Sequence, residues 1–447
     1  MKDTRALAIR VRALLAAGNR SELVALLEDL HPADVADILE RLALSGAVQV
    51  FGLLDPETAA EVLAEAENAP ALVSRMADSA VAPVLDEMGA DDVADLIAEV
   101  PAGRADRLLG LMEADEAGDV QELLEHAPDS AGGLMTTEFI SLPSQLTVAA
   151  AIDAIRAKAP DAEQPYYIYV VDARGRLLGV LSLRELIIAP AGDTLAQHME
   201  TNVITVAPAT DQEEAARLVG KYDLLALPVV DSHQRLLGII TVDDVIDVIQ
   251  AEHTEDLNLF SGSGHGDVVV TGNAWTRTMR RLPWLVVCLF GDLLSGGVIH
   301  FFEGALQSLV ALAYFIPVLM DMGGNVGTQS LAIMVRGLAI GQIDSRRILR
   351  LVFRELQVGA LAGAITGTLV AVIASVWQGN PTLGLVVGIA MASTLTVAAA
   401  VGTTVPLVLS RLGVDPAIAS GPFITTVIDV AGLVIYFRLA VALLGVI

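Results

Sequence analysis

Cysteine is almost absent from this chain. Cys288 stands alone among 447 residues, which excludes an internal disulfide framework and any cysteine-built metal site. Histidine numbers seven. No dense His/Cys cluster, P-loop or nucleophile–base pairing stands out, so the expectation is a protein that is not an enzyme. Positive charge is scarce where most of the length lies. Residues 1–274 carry 17 Lys and Arg against 47 Asp and Glu, a net −30, whereas residues 275–447 carry 10 against 7, a net +3. A half-chain this acidic repels nucleic acid and anionic lipid, and its natural partners are cations. The opening Met1-Lys-Asp-Thr-Arg5 leads into a polar, helix-patterned segment without an apolar signal core, so no export signal is expected. Apolar residues, by contrast, are plentiful: 54% of the chain is hydrophobic and mean hydropathy is +0.60. That is too long for one ordinary domain and too apolar for a wholly soluble protein.

The apolar excess is concentrated in five stretches, at about 283–302, 306–335, 355–377, 383–409 and 417–445, each able to span a bilayer at about 1.5 Å per helical residue. Arg277, Arg280 and Arg281 precede the first, behind Trp275 as an interfacial anchor. Arg336, Arg346, Arg347, Arg350 and Arg354 separate the second from the third, and Arg411 separates the fourth from the fifth. The turns near Glu303 and Gln378-Gly-Asn-Pro381 carry no positive charge. The positive-inside rule therefore predicts a cytoplasmic acidic half and a C-terminus outside.

One stretch inside the second span stands out, Pro317-Val-Leu-Met-Asp321-Met-Gly-Gly-Asn325-Val-Gly-Thr328-Gln329-Ser330. In a helix Pro317, Asp321, Asn325 and Gln329 fall near one face. Oxygen-rich side chains at membrane depth either form a hydrogen-bonded helix seam or line a water-filled ion path. The fifth span carries Gly421-Pro422 as an interruption at its start, then Thr425-Thr426, then Asp429 about halfway along. Arg438 lies more than two turns beyond Asp429, and Asp292 and Glu355 fall nearer span ends or glycine turns. Two small-residue rows read as close helix packing: Gly359, Gly363, Gly367 in the third span, and Gly384, Gly388, Ala392, Thr396, Ala400, Thr404 in the fourth.

The acidic half divides in two by pattern. Residues 1–133 read as short amphipathic helices, with Leu30–Glu40 recurring at Gly89–Glu99 and, more loosely, at Leu54–Leu63. Such recurrence predicts a superhelical stack of helix pairs. Asp91 and Asp95 lie one turn apart and serve either as solvated helix-start acids or as metal ligands. Residues 134–250 alternate strand and helix and repeat after about 60 residues. Tyr166–Val171, Asp172-Ala-Arg-Gly175, Leu177–Leu181 and Ser182-Leu-Arg-Glu185 are matched by Leu225–Val230, Asp231–Arg235, Leu236–Ile240 and Thr241-Val-Asp-Asp244. These features resemble a tandem pair of CBS domains, a Bateman module. In that family the Ser/Thr and the acid three later contact the ribose or phosphates of adenine nucleotides. The resemblance therefore implies ATP at Ser182, Arg184 and Glu185 and at Thr241 and Asp244, although Glu185 replaces the family's usual Asp. A helix capping box has the same spacing for purely structural reasons.

Residues 251–282 form a connector. Val245 onward continues helically through Asp247, Glu252, Glu255 and Asp256, and Gly262, Gly264, Gly266 and Gly272 mark a break before the membrane half at 283–447. Acidic helical repeats, a CBS pair, an acid-rich connecting helix and five spans follow in order. With Pro317, Gly324, Asn325, Gln329 and Asp429, the chain resembles an MgtE-type magnesium channel end to end. The resemblance implies a multidomain membrane protein: an all-α N-terminal superhelix, an α/β CBS module, a connecting plug helix and a five-helix transmembrane domain. It implies a homodimer in the lipid of a bacterial inner membrane, with Mg²⁺ as its ion and no nucleic acid. Asp429 becomes the principal pore carboxylate, with Asn325, Gln329, Thr425 and Asp321 as further lining, and Asp321 stands where some relatives carry a small residue. Regulatory Mg²⁺ ligands map onto Asp91, Asp95, Asp211, Glu213, Asp223, Asp244, Asp247, Glu252, Glu255 and Asp256. Two other readings stay open: transport of Mn²⁺ or Co²⁺, by channel or carrier, and a membrane-anchored CBS nucleotide sensor.

Overall fold

A computed structural model describes residues 4–158, 166–261, 273–339, 343, 348–419 and 421–445. The expected glycine break at Gly262, Gly264, Gly266 and Gly272, and Arg346 and Arg347, lie outside these. The chain forms two compact units, Met1–Ile249 and Gln250–Ile447.

The first unit opens with short helices: α1 (Thr4–Ala17), α2 (Arg20–Leu27), α3 (Pro32–Glu40), α4 (Leu44–Phe51), α5 (Pro56–Ala64), α6 (Ala69–Val73), α7 (Asp78–Leu85), α8 (Ala90–Glu99), α9 (Ala102–Leu109) and α10 (Ala114–Leu123). Helices pack on the next but one, α1–α3–α5–α7–α9 in one row and α4–α6–α8–α10 in the other, which is the expected superhelix. The repeat is visible as burial. α3 buries Val35, Ala36, Ile38 and Leu39; α5 buries Ala59, Ala60, Val62 and Leu63; α8 buries Val93, Ala94, Leu96 and Ile97. Helix α7 buries Val81, Ala82, Val84 and Leu85, a fourth copy that the sequence reading missed because Pro83 replaces the usual acid. Starts are fixed locally. The Asp55 carboxylate accepts from Thr58 N at 3.1 Å, and Pro32 and Pro56 occupy first-turn positions that need no donor.

Next come two βα units. Strands β1 (Ser141–Pro143), β2 (Tyr167–Val171) and β3 (Leu177–Ser182) form one sheet, with β1 parallel to β2 and β2 antiparallel to β3; α11 (Val148–Lys158) and α12 (Leu183–Ile188) complete it. The second unit has α13 (Gln212–Tyr222), β4 (Ala226–Val230), antiparallel β5 (Leu236–Thr241) and α14 (Val242–Phe260). The hairpins repeat even their irregularity, with the register slipping between Val170 and Val171 in one and between Val229 and Val230 in the other. The Leu-Leu-Gly strands place Gly179 against Glu200 O and Gly238 against Thr136 O, where a Cβ would lie at 2.6 and 2.7 Å. Only glycine allows the flanking Met199 and Met135 segments so close. The second unit shares one apolar core with the superhelix, including Val35, Val93, Leu227 and Ile240, whereas the first has its own around Ile168, Val170 and Leu186.

The second unit of the chain contains five helices long and apolar enough to cross a membrane: Ala274–Phe301, Val310–Leu338, Ile348–Gln378, Pro381–Arg411 and Gly421–Leu444. They are called here the first to fifth spans. Several start earlier than the apolar stretches suggested, because backbone hydrogen bonding continues past the hydrocarbon slab. Gly421-Pro422 opens the fifth span rather than interrupting it, since Pro in a first turn leaves no helical donor missing; Pro416–Ile418 forms a separate 3₁₀ turn.

The third and fourth spans pack through their small residues, as expected. A Cβ at Gly363 would lie 2.8 Å from the Ala392 backbone, and one at Gly367 2.5 Å from Gly388 O. Lower down the seam drifts to Leu395 O and Ala399, and Thr404 is exposed. Glu355 receives a long hydrogen bond, 3.5 Å, from Ser330.

Candidate functional site

The second span runs helically from Ile316 to Ala339 and has two chemically different faces. Gly323, Gly324 and Gly327 pack on the fifth span. A Cβ at Gly323 would lie 2.9 Å from Ile428 Cγ2, one at Gly324 3.1 Å from Thr425 Cγ2, and one at Gly327 would strike Ile428. The fourth span closes from another side, Gly402 against Gly327 O. Pro317, Asp321, Asn325 and Gln329 occupy the other face and are exposed on the single chain. Within that row Asn325 Nδ2 donates to Asp321 Oδ2 at 3.1 Å. The helix-seam and polar-stripe alternatives therefore each describe one face. Glycines make the seam, and the carboxylate and amides face away from it.

Asp429 is half-buried in the fifth span, one turn beyond Thr425 and Thr426, whose hydroxyls both donate to Pro422 O at 2.9 Å. The first span approaches at the same level, with Gly291 directly against Thr426. Gly291 and Gly324 pack on Thr426 and Thr425, and Asp292 and Asp321 lie one and three residues from those glycines, so three helices bring carboxylates towards one depth. Asp292 was ranked low because it sits beside a glycine; that glycine is what admits the neighbouring helix. Arg438 is exposed and nine residues past Asp429, about 13 Å along the axis. No ion pair to it is recorded among the described residues.

In the first unit a second group of acids is brought together. Asp91 and Asp92 start α8, Asp95 follows one turn on, Glu138 accepts from Ala90 N at 3.2 Å, and Asp244 lies in the first turn of α14. Desolvation, outweighing the hydrogen bond from Thr241 and reinforced by the charge of Asp91, pushes Asp244 up to about 7. Desolvation and the charges of Asp91, Asp244, Asp95 and Glu138 lift Asp92 to about 7. Asp95 rises to about 6 from desolvation and the Asp244 and Glu99 charges, and Glu138 to about 7 from desolvation and Asp91. Asp92 and Asp95 keep exposed surface. The effect comes from crowding of like charge around partly dehydrated carboxyls. The sequence map had named Asp91, Asp95 and Asp244; Asp92 and Glu138 are added by geometry alone.

Other mapped acids are dispersed. Asp211 caps α13 by accepting from Glu213 N at 2.9 Å, and Asp223 ends the same helix in a left-handed conformation, φ +53°. Eleven residues separate these ends, about 16 Å, so Asp211 and Glu213 cannot share an ion with Asp223 within one chain. Asp247 is exposed on α14. Glu252, Glu255 and Asp256 follow in the membrane unit, where Leu259 and Phe260 end α14 packed with Leu331, Val335, Ala417, Ala419 and Ile424. Desolvation and then the charge of Asp415 raise Asp256 to about 6; Asp415, which the sequence reading did not single out, caps the 3₁₀ turn before the fifth span. Among the described residues no three His, Cys, Asp or Glu side chains converge on one metal ion.

In both βα units the Ser/Thr–acid pair is engaged in its own turn. Ser182 Oγ donates to Glu185 Oε2 at 2.7 Å while Glu185 N donates back to Ser182 Oγ at 3.2 Å, a full capping box. Buried Thr241 is bound to Asp244. Beside the first pair lies a largely apolar cleft of about 430 Å³ lined by Tyr166, Tyr167, Ser182, Arg184, Ile187 and Leu225.

Comparison with known proteins places these features in a family context. The family model described as MgtE, divalent cation transporter, matches residues 316–439; that of the MgtE intracellular N domain matches 30–129; CBS domains match 131–192 and 195–251. A protein of Bacillus subtilis named magnesium transporter MgtE is 38% identical over 98% of this chain and 97% of its own length. A Thermus thermophilus protein of the same name is 38% identical over 98% of both chains. Among solved structures, the cytosolic domain of the Mg²⁺ channel MgtE in complex with ATP superposes with a TM-score of 0.52 at 39% identity, covering 54% of this chain and 99% of that one.

Proposed function

Because this chain belongs to the MgtE family of divalent cation transporters, we propose that it is a Mg²⁺-selective channel of the bacterial inner membrane, closed by cytoplasmic Mg²⁺. One observation carries the reading: a mid-span carboxylate, Asp429, beside Thr425 and Thr426, at the level of Asp321 and a row of exposed amides. A polar row exposed on one chain at membrane depth calls for water or a second copy against it. A homodimer whose second and fifth spans face each other supplies both. Mg²⁺ is a hard cation that prefers oxygen and keeps several of its waters. One carboxylate per subunit, with Asn325 and Gln329 amides, suits a hydrated ion that has to leave again. The arginine-bearing loops support a cytoplasmic acidic half and a C-terminus outside.

Closure follows from the crowded acids. Two carboxylates about 4 Å apart repel by about 4 kcal/mol at an effective dielectric of 20, so without cations the Asp91/Asp92/Asp95, Glu138 and Asp244 groups favour separation. Mg²⁺ between them favours the gathered state, and the ion closes the channel if that state binds it more tightly. Asp247, Glu252, Glu255 and Asp256 on α14, and Asp211, Glu213 and Asp223 on α13, supply further carboxylates for ions shared between elements or copies. ATP is assigned to the cleft beside Ser182 and Arg184, in keeping with the ATP complex of the similar cytosolic domain.

Reconstituted protein tests the pore. Mg²⁺ uptake into liposomes should be abolished by Asp429→Ala and should persist against competing Mn²⁺ and Co²⁺. Uptake at the wild-type rate by folded Asp429→Ala protein overturns the pore assignment, and equal uptake of the competitors overturns the selectivity.

A further inference from the structure

We infer that Asp292 of the first span faces the same ion path as Asp429 and gathers divalent cation towards it. This rests on the reading of Asp429 as the pore carboxylate. The first span is 28 residues long and begins with its arginines, so Asp292 falls near the middle of the apolar stretch that follows them. Its side chain is exposed on the single chain, with no hydrogen bond or ion pair recorded among the described residues. A charged residue presented to hydrocarbon at that depth costs about 3 kcal/mol or more, which makes lipid the wrong neighbour. The rest of the span agrees. Leu285, Leu289, Phe290, Leu293 and Leu294 form a broad exposed apolar coat, whereas Trp284, Cys288, Gly291 and Ser295 form the covered row. Asp292 stands on the flank of that row, between the lipid-facing coat and the seam with the fifth span.

Two independent details tie that flank to Asp429. Gly291 is packed on Thr426, one turn before Asp429, so the helices meet at this level and Asp292, the next residue, is carried to the depth of the pore carboxylate. Ser295, one turn along from Asp292, has a buried hydroxyl with no partner. The hydroxyls of Thr366, Thr368, Ser375, Thr396 and Thr403 all donate to the carbonyl four residues back. Ser295 makes no such bond, and its unpartnered hydroxyl lies on the covered row beside the flank that carries Asp292.

A carboxylate placed this way acts at a distance, through the local cation concentration, rather than as a ligand. Full-length protein in liposomes, with uptake measured over a range of external Mg²⁺, separates the possibilities. Asp292→Asn should raise the half-saturating Mg²⁺ about three- to tenfold at low ionic strength while leaving the maximal rate, and the gap should shrink as monovalent salt is added. Asp292→Glu should restore the wild-type curve. An Asp292→Asn curve that coincides with wild type, or a defect that neither salt nor Asp292→Glu alters, overturns the inference in favour of a packing role. Asp429→Ala run alongside keeps the failures apart, because unchanged uptake there removes the ion path itself.

Discussion

The superhelix and the membrane unit are both built of packed helices, yet they bury opposite things. In α3, α5, α7 and α8 the covered positions are Val, Ile and Leu with one or two Ala in each helix. In the third span they are Gly359, Gly363, Gly367 and Ala374, while Leu361, Ile365, Leu369 and Val376 face outward. In water a helix associates by removing apolar area, at about 25 cal/mol per Å². In lipid that gain vanishes, and close backbone approach through small residues takes its place. The same hydropathy therefore means core in one half and lipid-facing surface in the other. Carboxylates divide in a parallel way. Most of the acids in the acidic half are solvated, so a single one says little, whereas each acid at mid-span demands a reason.

Substitutions at equivalent packing positions sharpen this contrast. The largest effect is expected at Gly363, where a side chain has only the Ala392 backbone to meet. Gly363→Leu should prevent the third and fourth spans from closing, seen as loss of monodisperse protein in detergent; normal behaviour would break the small-residue account. In the superhelix, Ile38→Ala leaves a cavity rather than a clash and should cost about 2–4 kcal/mol, read as a lowered unfolding midpoint of the purified protein. The smallest effect, opposite in sign, is expected at the crowded acids. Glu138 is raised to about 7 when folded, so the folded state holds protons that the unfolded chain releases. The associated stability is present below the unfolded value of about 4.3 and is lost as pH rises through 7. Glu138→Gln should therefore stabilise the protein by about 1 kcal/mol at pH 7.5 without divalent ions and by almost nothing at pH 4. Added Mg²⁺ should narrow the gap, and a stabilisation independent of pH would point to packing instead.

Much of this was legible beforehand because it is local. The repeat in α3 and α8, the doubled hairpins and the five spans are written in apolar spacing, turn residues and segment length, which act over a few residues. The copy in α7 was hidden because Pro83 disguises an otherwise intact burial pattern. The site was legible only in part. Asp429 declared itself by being a carboxylate in an apolar helix, but Asp292 had been discounted for its glycine neighbour, and Glu138 and Asp415 carried no signal at all.

Length, hydropathy and charge patterning alone determined the order of domains, the number of spans and which residues were chemically unusual, since each follows from how a short segment partitions between water, lipid and hydrogen-bonded backbone. Tertiary structure alone decided which of them meet. Whether Gly323 shapes a seam while Asn325 faces away, or Glu138 joins Asp92 and Asp244, depends on helix rotation and on contacts between residues far apart in the chain. Those are set by packing over the whole unit, which no local pattern encodes.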